Sequence, residues 1–340
     1  MAAPAPHGTQ TLTEHHWAPE RHGRITSLCD EAVASTPGIR SLSHFGNGIL
    51  DFVVCRTDRR PLGAVIGDLG DLGDERDEES LPGSRLLLST QDIGVLLQPL
   101  GTGELRRTVV ANREGCLWGG RVKPGEYLAA VTDTADGADA MDTSMNALVT
   151  RIRTEVHRLS DELPGGDPTA KPGLSAVDGG RMPLRVDFGT AATPEPAYEE
   201  RLRALWLGHV NTTDLQYAAY YRDWTLVCAG DVFESDDLGP KFLSVSVRTR
   251  RTAYRELSRS LPGHLIRLAD ALRLVTPVQA GRPAVERLVL DVQEGAIYLV
   301  WTSSREFLVG VTLDQTQVAN ADAQLQRLAG AVRGVTSPPR

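Results

Sequence analysis

"EGCLWGGRVKPGEYLAAVTD" spans Glu114–Asp133, and "EGAIYLVWTSSREFLVGVTLD" spans Glu294–Asp314. Each copy opens with Glu-Gly, runs ten residues, and then gives Glu, an aromatic (Tyr127 or Phe307), Leu, two small or branched residues, Val and Thr. The offset is 294 − 114 = 180. Turn residues separate apolar, strand-like runs in both, so each reads as a pair of strands joined by a turn.

The match extends beyond these stretches. At the same offset Leu81-Pro82-Gly83 meets Leu261-Pro262-Gly263, Arg107 meets Arg287, Val109 meets Val289, Leu148 meets Leu328 and Arg153 meets Arg333. About 17 of roughly 75 ungapped positions are identical, against about five expected by chance, which points to an internal duplication. Upstream, Asp51 to Cys55 is similar to Asp223 to Cys228 at an offset of 228 − 55 = 173. That offset places an insertion of 180 − 173 = 7 residues in the second copy, between its second strand and its middle helix.

Each copy then predicts a helix, two strands, a helix, a three-strand meander and a closing helix. The first helix carries Ile25, Leu28, Cys29, Ala32 and Val33 at helical spacing and stops at Pro37-Gly38. Strands are expected at "IRSLSHFG" and "ILDFVVCR" around Gly46-Asn47-Gly48, then at "ELRRTVVAN", "GCLWGGRV" and "EYLAAVTD". The stripe Met141, Met145, Leu148, Ile152, Val156 and Leu159 marks the closing helix. In the second half "KFLSVSVRT" alternates like a strand, and the helix after it breaks at Pro262-Gly263. The acidic "GDLGDLGDERDEES" reads as a solvated loop.

These elements give a domain plan: a tail over 1–23, a first domain over 24–162, a Pro/Gly-rich linker over 163–196, a second domain over 197–335 and a tail over 336–340. Charged residues make up 24% and the net charge is −8, so nucleic acid and anionic membranes are poor partners. Arg248, Arg250, Arg251 and Arg255 form one basic run, read as a solvated face. Cys29, Cys55, Cys116 and Cys228 have no metal-ligand spacing and read as buried hydrophobes. His15-His16 lacks a third ligand, and no metal or cofactor is expected. With no long apolar run, cytoplasmic residence is the default expectation.

No catalytic constellation emerges. Glu114 and Glu294, and Glu126 and Glu306, are the matched acids of the opening motif. They read as turn residues, with Glu126 and Glu306 able to bridge to Arg107 and Arg287.

The segment "GTGELRRTVVANREGCLWGGRVKPGEYLAAVTDTADG", with the amphipathic helix after it, resembles the C-terminal half of a roadblock domain of the roadblock/dynein light chain and longin-like group. "STPGIRSLSHFGNGILDFVV" resembles that family's opening, and "AVERLVLDVQEGAIYLVWTSSREFLVGVTLD" repeats the pattern in the second half. The chain departs from the family in "DTADGADAM" and in the strand-like "KFLSVSVRT". The resemblance implies an α+β protein of two roadblock/profilin-like domains, each a five-stranded mostly antiparallel sheet with helices, paired within the chain as a pseudo-dimer. It also implies a non-enzymatic regulatory scaffold that docks a protein partner such as a small Ras-like GTPase. The interface would be carried by Leu105, Arg107, Val109 and Val110 in one copy and by Arg287, Leu288, Val289 and Leu290 in the other. The runner-up is a small-molecule sensor or secretion-chaperone-like binding module.

Overall fold

Helix α1 (Pro19–Ser35) forms where the sequence places Pro at its first turn and an apolar stripe behind it; Ile25, Leu28, Cys29 and Val33 are buried. Each such aliphatic side chain removed from water contributes about 1.5–3 kcal/mol. The helix ends as Thr36 N–H donates to the Ala32 carbonyl, and Gly38 turns the chain at φ +90°. In this computed structural model the described residues are 8–59, 75–134, 137–159, 165, 184–192, 195–277 and 281–336.

Two compact units divide the chain. The first comprises Met1–Asp92, Arg106–Pro164 and His264–Ala280; the second comprises Ile93–Leu105, Gly165–Gly263 and Gly281–Arg340. Each is a mixed α+β unit with helices packed on an antiparallel sheet.

Unit 1 contains β1 (Thr9–Thr13), α1, β2 (Ile39–Gly46), β3 (Ile49–Arg56), α2 (Glu75–Leu97, as far as Asp92), β4 (Leu105–Ala111, from Arg106), β5 (Cys116–Lys123), β6 (Glu126–Thr132) and α3 (Gly137–Arg151). Its strands run β1-β3-β2-β6-β5-β4. Side chains alternate across the sheet: His44 faces His22 on α1, while Phe45 and Ala129 pack with Leu87 of α2.

Unit 2 contains β7 (Arg185–Phe188), α4 (Pro196–His209), β8 (Tyr217–Arg222), β9 (Thr225–Asp231), α5 (Val247–Ser260), β10 (Arg287–Val292), β11 (Gly295–Trp301), β12 (Glu306–Thr312) and α7 (Val318–Thr336). Helix α6 (Pro262–Arg273) belongs to unit 1 from His264 onward. The strand order β7-β9-β8-β12-β11-β10 repeats that of unit 1. Trp206 of α4 donates its indole N–H to the Ala218 carbonyl on one face of the sheet; Tyr217 stacks on Phe233 and packs against Tyr254 on the other.

Several elements differ from the sequence reading. Among the described residues each unit contributes six strands rather than five, because β1 and β7 add to β3 and β9 at an edge. Both fall in polar or Pro/Gly-rich sequence that suggested a tail and a linker. An edge strand needs only backbone pairing and carries little apolar signal. Most of the expected linker lies outside the described residues, as do residues 67–74 of the acidic stretch. Residues 75–80 open α2, where Glu75, Asp77 and Glu78 suit a helix N-terminus. "KFLSVSVRT" forms no strand: a 3₁₀ turn covers Asp236–Phe242, and α5 starts at Val247 behind a Ser246 cap. The break at Pro262 falls where the sequence put it.

The registers also correct the upstream alignment. Gly46 faces Glu126 and Arg222 faces Glu306, an offset of 222 − 46 = 176. Both hairpins bulge at the same place, leaving Asp51 and Val227 as the extra residues, again 176 apart. The insertion is therefore 180 − 176 = 4 residues.

The glycine of each opening Glu-Gly has a packing reason. A Cβ on Gly115 would lie 2.4 Å from the Thr132 carbonyl oxygen, and one on Gly295 would lie 2.1 Å from that of Thr312. Backbone cannot retreat from that contact without breaking strand pairing. Gly115→Ala and Gly295→Ala are each expected to cost at least about 2 kcal/mol in urea unfolding. A loss under about 0.5 kcal/mol in both would refute the close-approach explanation.

Candidate functional site

A cluster of imidazoles and carboxylates forms where β2, β3 and β6 meet α1 and the end of α3. The β2–β3 bulge aims Asp51 at His44, whose Nδ1 lies 2.8 Å from Asp51 Oδ2. His44 Nε2 lies 3.3 Å from Glu126 Oε1, diagonally across β2 and β6. Both ring nitrogens thus face carboxylate oxygens, and both must donate, which makes His44 an imidazolium. Burial opposes that charge, but the bonds to Asp51 and Glu126 outweigh it and raise the His44 pKa.

His157 reaches the cluster through a π-helical turn, Ile152–Val156, that continues α3 and closes with His157 N–H on the Ile152 carbonyl. Its Nδ1 lies 3.1 Å from Lys123 Nζ, and its Nε2 lies 2.8 Å from Glu126 Oε1. A lysine ammonium only donates, so Nδ1 accepts and Nε2 carries the proton given to Glu126. Lys123 Nζ also pairs with Glu126 Oε2 at 3.1 Å. Burial works against the charged form of Glu126, yet donation from His44 and His157 holds its pKa down at about 2.

His22 completes the inner wall. Its Nδ1 accepts from Ala18 N–H at 3.1 Å, leaving Nε2 3.7 Å from Asp51 Oδ1. Burial lowers its pKa, against the pull of Asp51. His16 Nε2 donates to the same Asp51 oxygen at 2.9 Å. Asp51 is likewise held below the usual carboxylate range: burial opposes this, but His44 and His16 outweigh it. A cavity of about 140 Å³ opens on the cluster, lined by Arg21, His22, His44, Lys123, Glu126 and His157 among others. The arrangement can hold and pass protons. Cys29 is no nucleophile for it, because burial pushes its thiol far up.

Unit 2 does not repeat this chemistry. At the matched positions Tyr220 replaces His44 and Val227 replaces Asp51, and Glu306 accepts from Arg222 Nε at 2.8 Å.

The matched acids therefore do not bridge to Arg107 and Arg287, as the sequence suggested. Arg107 bonds Asp142 and Arg287 bonds Asp322, which is itself a matched pair at offset 180. Leu105, Arg107, Val109 and Val110 lie on β4, and Arg287, Leu288, Val289 and Leu290 on β10, the strand ending each unit's own order. The basic run is a solvated face only at Arg248, which is exposed. Arg250 and Arg251 are buried; Arg251 holds Asp231 through two bonds, and Arg255 holds Asp187. All four cysteines are buried and free, as expected. Glu14 stands beside His15 and His16 as a third ligand-type group, but His16 is committed to Asp51 and Glu14 to Arg76.

His44, His157 and His22 escaped the sequence reading. Only His44 and Asp51, flanking the Gly46-Asn47-Gly48 turn, left a signal. A second cavity of unit 1, about 460 Å³, is lined by Arg40, Arg56 and Arg59 with Asp58 and Asp133. Among the described residues no helix is long and apolar enough to cross a membrane. Comparison with protein-family models and with curated proteins finds no match to the chain.

Proposed function

We propose that the chain is a non-enzymatic regulatory or scaffold protein, built from two roadblock/longin-like modules that arose by duplication and dock a protein partner such as a small Ras-like GTPase. The supporting observation is the shared plan of the two units: helix, hairpin, helix, three-strand meander, closing helix, with one strand order in both. The matched ion pairs Arg107–Asp142 and Arg287–Asp322 favour duplication, since unrelated sheets have no reason to place the same charges at one offset.

A contact surface is available within unit 1. Leu88 on α2 and Ile266 on α6 are 65% and 62% exposed, beside Asp92 and Arg267, which form an ion pair at 2.7 Å. The test mixes the purified chain with small Ras-like GTPases in their GDP and GTP-analogue states. Complex formation or altered nucleotide turnover is expected, weakened about tenfold by Leu88→Glu with Ile266→Glu at unchanged Tm. Failure to bind any of the GTPases, in either state, defeats the GTPase reading. Binding indifferent to the double variant defeats this surface.

A further inference from the structure

The two-residue turn between β2 and β3 is Asn47-Gly48, with φ of +52° and +81°. That pair adopts left-handed backbone at little cost. The matching turn between β8 and β9 is Asp223-Trp224, with φ of +49° and +62°. A bulky residue in that region costs roughly 1–2 kcal/mol. Asp223 is clamped against this strain: its carboxylate accepts from Arg305 Nε at 2.5 Å and Nη2 at 2.7 Å, and its N–H donates to the Arg305 carbonyl. One unit thus holds under strain an indole that the other unit does without.

The indole lines a cavity of about 520 Å³, within the size range of small-molecule sites. Trp224 rests on Phe307 with ring centroids 4.7 Å apart and is 42% exposed. The facing wall is α5, where Thr252, Arg255, Glu256 and Arg259 recur at helical spacing on one side. Arg255 is engaged by Asp187. Arg259 and Glu256 have no side-chain partner among the described residues and are exposed. The cavity therefore offers a π-face, a cation and a carboxylate.

We propose that this cavity binds a small aromatic molecule carrying one anionic group and one N–H donor. The ring stacks on Trp224, the anion meets Arg259, and the donor meets Glu256. Two sources share this chemistry, an amino-bearing nucleoside monophosphate and an aromatic amino acid. The full chain would be titrated calorimetrically with AMP and with L-phenylalanine, and with adenosine and ribose 5-phosphate as fragments lacking the anion or the ring. AMP binding alone identifies the nucleotide source, and L-phenylalanine binding alone the amino acid. Each fragment should bind at least about tenfold more weakly than AMP if AMP is the ligand.

Trp224→Gly suits the left-handed turn and keeps the hairpin, so its expected loss of binding, about tenfold or more, reports the ring rather than unfolding. Arg259→Ala, on an exposed helix face, should weaken binding to a similar degree. The proposal is overturned if neither AMP nor L-phenylalanine binds at roughly millimolar concentration. It is equally overturned if binding survives both substitutions. Neither result bears on partner docking, which involves other residues.

Discussion

Glu79→Ala is expected to lower the stability of unit 1 by about 3–5 kcal/mol. Glu79 accepts from Arg40 Nε at 3.2 Å and Nη2 at 2.7 Å, and from Arg59 Nε at 2.8 Å. The Arg40 and Glu79 side chains are 2% and 3% exposed. Truncation leaves the buried Arg40 guanidinium, among the described residues, with only the partly exposed Asp133 at 3.2 Å. A charge stripped of its main partner cannot recover hydration there, and an arginine cannot shed its proton to escape. Urea unfolding at pH 7 reads the loss. The double change Arg40→Met with Glu79→Leu should be milder, because it removes the Arg40 and Glu79 charges together, keeps the volume and leaves Arg59 its pair with Glu75. A single-variant loss under about 1 kcal/mol, or a double variant as damaged as the single one, contradicts the account.

Glu79 also marks the limit of sequence reading. Glu75 to Ser80 looked like an acidic loop because local composition reports solvation, whereas their charges serve a helix start and buried arginines 20 and 39 residues upstream. What was legible had local causes: the α1 stripe, the Pro-Gly stops, and the Glu-Gly openings forced by a neighbouring carbonyl. The β4, β5 and β6 strands were legible for the same reason. Edge strands β1 and β7 were not, since pairing on one side demands little of their side chains. The imidazole cluster was hidden more deeply. His157 meets Glu126 only because a π-helical turn rotates the end of α3, and Asp51 meets His44 only because the hairpin bulges. Neither irregularity is written in a periodic pattern.

Glu126→Ala is the second large effect, and its sign depends on pH. A carboxyl shifted from 4.5 to about 2 contributes on the order of 3 kcal/mol. Its folded pKa is depressed, so that contribution is present above about pH 4.5 and is lost as pH falls toward 2. His44 runs the other way: its folded pKa is raised, so its contribution is full below about 6.5 and fades as pH climbs through the folded value. The pair is therefore strongest between about pH 4.5 and 6.5. Removing Glu126 takes one of two acceptors from His44 and the shared acceptor from His157 and Lys123. The variant should lose about 3 kcal/mol at pH 5.5 but much less at pH 2.5, where Glu126 is already partly protonated. Its His44 should titrate at lower pH, because Asp51 alone must now offset burial. Denaturant unfolding across pH, with the imidazole resonance of His44 followed by NMR, checks both limbs. A loss that stays constant from pH 2.5 to 9 would mean that Glu126 acts through packing and not through charge, and the cluster would then have no proton to hold.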